Sequence, residues 1–186
     1  MRFRLSMSIV FLVFAFAATA FADELPKEGD VLPELVFTAP PHLGDADILG
    51  IQPEQNFSLA SLDRDVILLE VIGVYCAECA KQSPLFNDLF NRLKRRKMLD
   101  RVAFIALAAG ATPMEANYLR ESGKYAYPIV HDQEYELHKK LNEAKTPFTM
   151  LVRPDGSVLF AHLGVYEDVD DLYEKIKGFV ESDGTQ

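Results

Sequence analysis

Residues 66–79 read VILLEVIGVYCAEC, an apolar run that ends in the two cysteines of the chain. From Val66 to Val74 only Glu70 interrupts the apolar residues, which is typical of a central strand covered on both faces. From Pro84 to Leu93 the apolar residues recur at helical spacing. The sequence therefore predicts a strand followed by a helix, with the cysteine pair at the corner between them.

The alternation of strands and helices continues outward from this segment. Pro154-Asp155-Gly156 supplies the turn of a hairpin, and Thr112-Pro113-Met114-Glu115 is a capping box that begins a helix. The predicted strands are Leu35–Thr38, Phe57–Leu59, Val102–Ala108, Tyr127–Val130, Thr149–Val152 and Val158–Leu163. A short helix is predicted at Tyr135–Leu141, and a last one carries Val169, Leu172, Tyr173, Ile176, Phe179 and Val180 on one face. This order predicts one α/β domain whose sheet has helices on both faces.

The composition is that of one folded domain. The chain has 186 residues, of which 49% are hydrophobic, and its formal net charge is −9. A protein this acidic repels phosphate backbones, which excludes nucleic-acid binding as its main role. Two cysteines are too few for a disulfide-rich scaffold or for a four-thiolate zinc site.

The first 22 residues have the order of a secretory signal peptide. Arg2 and Arg4 form a basic start, residues 9–18 are wholly apolar, and Ala20-Phe21-Ala22 places small residues at a cleavage site. We expect cleavage before Asp23, which leaves residues 23–186 as the mature domain. The alternative is an uncleaved anchor over residues 5–22. Either way we expect the domain to be extracytoplasmic, in the periplasm, secreted or tethered to the membrane.

The spacing of Cys76-Ala77-Glu78-Cys79 is the C-x-x-C spacing of a redox pair. At the start of a helix, free backbone N–H groups and the helix dipole stabilise a thiolate on Cys76. Cys79 lies one turn further on, where it is shielded and can resolve a mixed disulfide. The alternatives are a buried thiol pair with no chemistry and a structural disulfide, which would stabilise the fold only weakly because it closes a very short loop.

A metal site is the second alternative for the two cysteines. Two thiolates are half of a tetrahedral set and suit Cu(I) or zinc. The other ligands would come from His42, His131, His138 or His162, and none of these has a recognisable ligand spacing. We therefore predict no resident metal and keep a non-catalytic Cu(I) carrier as an alternative function.

With these residues the chain resembles the TlpA/ResA-type extracytoplasmic thiol–disulfide oxidoreductases of the thioredoxin fold, from about Asp30 to Glu181. Pro84 follows Cys76 by eight residues, as does the proline in that family's active-site helix. Thr146-Pro147 falls where the family has a cis-proline before the next strand. The resemblance implies a central mixed β-sheet flanked by helices, with an N-terminal strand extension and a central insertion over about residues 110–141.

The resemblance also implies how such a protein works. Cys76 attacks or receives a partner's disulfide and Cys79 resolves it, with no cofactor beyond the redox-active Cys76–Cys79 disulfide. We assign Tyr75, Thr146 and Pro147 to substrate binding, with Thr146 offering its backbone to an extended partner segment. The implied partners are protein disulfides or dithiols and a membrane dithiol that donates electrons, and we expect a monomer.

The chain departs from the family pattern beside the cysteines. Tyr75 replaces the usual tryptophan, and Ala77-Glu78 replaces the commoner Gly-Pro or Pro-Pro. The residue seven before Cys76 is Leu69, so the peroxiredoxin signature is absent, which argues against peroxidase activity. Gly164 matches a glycine that the family has after the last strand.

Two acidic residues are predicted to tune the cysteines. Glu70 lies six residues before Cys76, where thioredoxins have a buried acid, and its apolar neighbours predict a raised pKa. It could take the proton of Cys79 as a general base; the alternative is a glutamate at the sheet edge or paired with a lysine. Glu78 places a negative charge beside both sulfurs, which disfavours a thiolate; the alternative is a solvated surface acid.

These observations lead to one function and three alternatives. The leading expectation is an exported thiol–disulfide oxidoreductase that works on the reducing side, because Glu78 opposes the stable thiolate of a strong oxidant. The alternatives are a disulfide-forming oxidase, the Cu(I) carrier, and a binding module that uses the fold as a scaffold.

Overall fold

The computed structural model describes residues 24–183. The predicted signal peptide or anchor lies outside these residues, and none of the helices among them is long and apolar enough to cross a membrane. The strands are β1 Val36–Phe37, β2 Phe57–Ser58, β3 Val66–Gly73, β4 Val102–Ala109, β5 Ile129–Asp132, β6 Phe148–Val152 and β7 Val158–Leu163. The helices are α1 Asp45–Leu49, α2 Ala77–Arg95, α3 Pro113–Glu121, α4 Glu136–Lys140 and α5 Val169–Asp183.

The central sheet has five strands in the order β5-β4-β3-β6-β7. Strands β3, β4 and β5 are parallel, while β6 and β7 run antiparallel to them, so the sheet is mixed. Strand β3 lies in the middle, and its Glu70 pairs in register with Ala106 on one side and Thr149 on the other. The predicted α/β fold with a mixed sheet is confirmed.

Side chains of β3 alternate between two cores, as the period of a strand requires. Leu68 and Ile72 face one core, which is filled by residues of α2, α3 and α5. Leu69 and Val71 face the other, which is covered by α1, α4 and the segment before β3. Strand β3 is therefore buried on both faces, as its unbroken apolar run predicts.

The N-terminal extension forms a separate small sheet. Strands β1 and β2 pair antiparallel, with Val36 opposite Ser58 and Phe37 opposite Phe57. Both are shorter than predicted, and Leu59 begins a 3₁₀ turn instead of ending a strand. The predicted strand Tyr127–Val130 is wrong in its bounds: β5 begins at Ile129, because Pro128 has no N–H to give to the ladder.

Helix α2 runs through the proline that the sequence places inside it. Pro84 has no N–H, so the carbonyl of Ala80 loses its usual helical donor. The hydroxyl of Ser83 lies 3.4 Å from this carbonyl oxygen and donates to it instead. The helix therefore continues from Ala77 to Arg95.

Candidate active site

The two cysteines form a disulfide at the N-terminus of α2. Their Cα atoms are 5.2 Å apart and the bond joins residues only three apart in sequence. Cys76 is the N-cap of the helix, and its Sγ accepts the backbone N–H of Cys79 at 3.0 Å. Cys76 is half-buried, whereas Cys79 is 1% exposed. The outer sulfur is thus the one that another molecule can reach, and the same N–H would stabilise its thiolate after reduction.

The segment before β6 lies against the outer sulfur. The Thr146–Pro147 peptide bond is cis, and the carbonyl oxygen of Thr146 is 3.4 Å from Cys76 Sγ. The carbonyl of Pro147 accepts the N–H of Gly164 at 2.9 Å. Gly164 has a φ of 96°, a conformation that favours glycine. The site therefore combines a segment some 70 residues after Cys76 with the turn that follows β7.

Glu70 is completely buried on β3, on the face that α2 covers. Its Oε1 accepts the side-chain N–H of Gln82 at 2.8 Å, and its Oε2 accepts the hydroxyl of Tyr127 at 2.6 Å. Gln82 also donates to Thr149 Oγ1 at 3.3 Å. Within residues 24–183 no ion pair involves Glu70, so its hydrogen-bond partners are neutral groups.

This environment raises the pKa of Glu70 from 4.5 to about 7. Burial is the main cause, because the charged carboxylate loses its hydration. The hydrogen bonds from Tyr127 and Gln82 lower the pKa and oppose part of that effect. The carboxyl group can therefore bind and release a proton near neutral pH. Glu70 is completely buried in the central strand, and no lysine among residues 24–183 forms an ion pair with it. The alternative of a glutamate at the sheet edge or paired with a lysine is therefore excluded, while the catalytic role of Glu70 stays a prediction.

Tyr75 and Glu78 lie at the surface beside the disulfide. Tyr75 is 91% exposed, and its hydroxyl donates to Glu115 Oε1 at 3.1 Å, which raises the pKa of this tyrosine. Glu115 belongs to the capping box of α3, which forms as predicted. Glu78 forms an exposed ion pair with Lys81 at 2.6 Å, and this cation offsets part of the charge that the sequence places near the sulfurs. The binding and tuning roles of both residues stay predictions.

Sequence reasoning missed the residues that hold Glu70. Gln82 could have been found, because it lies three residues after Cys79 and so on the same face of α2. Tyr127 and Thr149 carry no local signal. Tyr127 lies two residues before β5 and Thr149 lies in β6, and they reach Glu70 and Gln82 because both strands belong to the same sheet as β3.

In the part of the chain that the structure describes, no three His, Cys, Asp or Glu side chains lie close enough together to hold a metal ion. Three of the histidines have other neighbours. His42 Nδ1 is 3.4 Å from Asp45, His138 Nε2 is 2.9 Å from the carbonyl of Ala144, and His162 Nε2 is 3.3 Å from that of Val165.

Comparisons with known proteins agree with this arrangement. A family model described as Thioredoxin-like matches residues 63–158. The thiol-disulfide oxidoreductase ResA of Geobacillus kaustophilus is 25% identical over 113 residues, which cover 60% of this chain and 63% of that protein. The ResA of Halalkalibacterium halodurans is 22% identical over 184 residues, or 95% of this chain and 96% of that one. The chain thus spans less than two thirds of the first of these relatives.

Solved structures show the same fold. StoA from Bacillus subtilis superimposes with a TM-score of 0.58 and 16% identity, covering 78% of this chain and 98% of that protein. A thiol:disulfide interchange protein from Bacteroides sp. gives a TM-score of 0.59 and 20% identity, covering 83% of this chain and 90% of its own.

Proposed function

The chain belongs to the thioredoxin-like family, and from that premise we propose that it is a thiol–disulfide oxidoreductase acting on other proteins. One observation carries the proposal: the Cys76–Cys79 disulfide caps α2, with its outer sulfur against the Thr146 carbonyl. A partner segment that approaches Cys76 would lie beside Thr146 and the exposed ring of Tyr75. The relatives named thiol-disulfide oxidoreductase ResA support the same class of reaction.

The reaction starts from the reduced protein. The thiolate of Cys76 attacks a disulfide of the partner, forms a mixed disulfide and releases one partner thiolate. Cys79 then gives its proton to Glu70 and attacks Cys76 Sγ, which releases the second partner thiolate. The two cysteines lose two electrons and the partner disulfide gains them; the proton leaves Glu70 for a released thiolate or for water.

We further propose that the protein is exported and works on the reducing side. The composition of residues 1–22 supports export. Glu78 supports the reducing direction, because an acid beside the sulfurs disfavours the thiolate that a strong oxidant stabilises. Reducing equivalents would then come from a membrane dithiol.

The decisive experiment traps the mixed disulfide. Cys79→Ser, expressed as the full chain in its own host, should hold partner proteins covalently on Cys76, because the second cysteine can no longer release them. The matched control is Cys76→Ser, which should trap far less, since Cys79 is 1% exposed. Recovery of no partner with Cys79→Ser under both oxidising and reducing growth would contradict the proposal.

The reduction potential of the Cys76–Cys79 pair tests the direction. A value in or below the thioredoxin range, roughly −270 mV, would support the reducing role. A value well above it would replace that role with disulfide formation. Stoichiometric Cu(I) retention without reductase activity would favour a metal carrier instead.

A further inference from the structure

The side chain of Gln82 is completely buried, and both of its polar atoms have hydrogen-bond partners. The backbone N–H of Tyr166, in the turn between β7 and α5, donates to Gln82 Oε1 at 2.7 Å. The side-chain nitrogen donates to Glu70 and to Thr149. A backbone N–H can only donate, so it fixes which end of the amide is the carbonyl and turns the NH₂ group toward Glu70.

This orientation matters for Glu70 because an amide NH₂ can donate but cannot accept. Together with Tyr127 it supplies a donor to each carboxylate oxygen, which favours the ionised form of the acid. Gln82 also lies one helical turn after Cys79, so the acid that it contacts lies under the face of α2 that carries the inner cysteine.

We propose that Gln82 is a positioning residue of the exchange reaction: its amide, oriented by the Tyr166 backbone, holds Glu70 ready to accept the proton of Cys79. The reaction step rests on the proposed function, whereas the hold on Glu70 does not. Without the amide donor, burial of the carboxyl would be opposed only by Tyr127, and Glu70 would keep its proton at neutral pH.

The other groups around Glu70 are neutral near pH 7, so the contact with Gln82 has a direct effect on the protonation of this acid. Among residues 24–183, the titratable groups that interact with it are Tyr127 and Tyr125. In the reduced protein, α2 also carries the thiol of Cys79 on the helix face that covers Glu70. Burial and the Glu70 charge raise the pKa of Tyr125 and of Tyr127 well above the ordinary tyrosine value of 10.0, so both tyrosines stay neutral near pH 7. Thr149 on β6 is uncharged, and no cation of residues 24–183 forms an ion pair with the acid.

The direct test is a titration of the Glu70 carboxyl carbon by NMR in the oxidised full chain. In Gln82→Met, which keeps the size of the side chain but removes the donors, the midpoint should rise by about one pH unit. Thr149→Val is the matched control: it removes the other acceptor of the amide but neither hydrogen bond of Glu70, and its midpoint should stay within a few tenths of a unit of wild type. An unchanged midpoint in Gln82→Met would overturn the proposal.

A second variant covers the case in which Gln82→Met does not fold. Gln82→Glu has the same size and can still accept the Tyr166 N–H, but its other oxygen would face Glu70 Oε1 at the present 2.8 Å. Two carboxylates so close cannot both ionise, so they should share a proton up to a higher pH than wild-type Glu70 holds one. Two independent titrations at or below the wild-type midpoint would contradict the contact.

The kinetic test measures how fast Cys79 resolves a mixed disulfide between Cys76 and a small aromatic thiol. Gln82→Met should slow this step roughly fivefold at pH 7, where a one-unit shift leaves about a tenth of Glu70 ionised, and hardly at all at pH 9. In the Glu70→Gln background the same substitution should add no further pH dependence. Slowing that is equal at all pH values would assign Gln82 a merely structural role.

The two failures are distinguishable. If wild type exchanges no disulfide, the proposed function fails, and the NMR midpoints still report whether Gln82 governs Glu70.

Discussion

Asp45 and Glu70 are both completely buried carboxyl groups, and their partners differ in charge. Asp45, at the start of α1, faces the guanidinium of Arg120, with Nη2 at 2.9 Å and Nε at 3.0 Å. Glu70, in the central strand, accepts hydrogen bonds from the neutral donors of Tyr127 and Gln82, and no cation among residues 24–183 pairs with it.

The difference separates a carboxylate that holds the fold from one that can move a proton. A guanidinium compensates the lost hydration of Asp45 and joins α1 to the C-terminal end of α3. Neutral donors compensate Glu70 only in part, so its pKa rises to about 7 and both protonation states are accessible. Burial alone therefore does not identify a catalytic acid; the charge of its partners does.

Removing the cation at Asp45 should have the largest effect. Arg120→Met leaves a buried acid without its charged partner, and we expect a loss of about 3 to 5 kcal/mol in the free energy of unfolding. Unfolding by guanidinium chloride measures this loss of stability. A variant as stable as wild type would remove the contrast between the two acids.

The pH dependence of stability tests the Glu70 side of the comparison. Because its pKa is about 7 in the folded protein and 4.5 in the reference state, the folded form binds the proton more tightly. The stabilisation is complete below pH 4.5 and is lost as the pH rises through 7. Relative to Glu70→Gln, the oxidised wild type should lose about 3 kcal/mol of unfolding free energy across that window.

Urea titrations of the two proteins at a series of pH values give this difference. The variant is a fair reference, because its amide can accept from Gln82 and donate to the Tyr127 oxygen. Parallel curves for the two proteins would show that Glu70 has an ordinary pKa.

Tyr127→Phe sharpens the same contrast by removing one donor. The lost hydrogen bond serves the carboxylate more than the neutral acid, so we expect a cost of about 2 kcal/mol at pH 8 and about 1 kcal/mol at pH 5. Denaturant titrations at both pH values measure it. An equal cost at the two pH values would mean that this hydroxyl does not sense the charge of Glu70.

The smallest effect is expected at Glu78, an exposed acid that has a cation. Glu78→Gln removes a negative charge near the sulfurs and should raise the reduction potential by only about 10 mV, because Lys81 already offsets that charge. Lys81→Gln should move the potential in the opposite direction. Equilibration with glutathione measures both; no shift in either variant would end the tuning hypothesis for Glu78.

The sequence predicts the elements of this site better than its contacts. Strand β3, the start of α2 and the cysteine pair follow from local periodicity and spacing, and the place of Thr146-Pro147 follows from the family resemblance. The burial of Glu70 follows from its apolar neighbours in β3.

The partners of the two buried acids could not be predicted in this way. Tyr127 lies 57 residues from Glu70, and Arg120 lies 75 residues from Asp45. These contacts depend on how strands and helices pack, and a Tyr before a proline or an Asp in a Gly/Pro-rich loop carries no local signal of them. Gln82 is the exception, since its helical phase relative to Cys79 was available from the start.

The disulfide closes a very short loop, and this gives a way to learn the direction of electron flow without any partner protein. Since the bond joins residues only three apart, breaking it frees little chain entropy and should leave the folded shape intact. The folded and unfolded, oxidised and reduced states then close a thermodynamic square. The difference in unfolding free energy between the two redox forms equals the shift in potential that the fold imposes, about 30 mV for every 1.4 kcal/mol. A fold that is more stable with the bond intact is built to give electrons away.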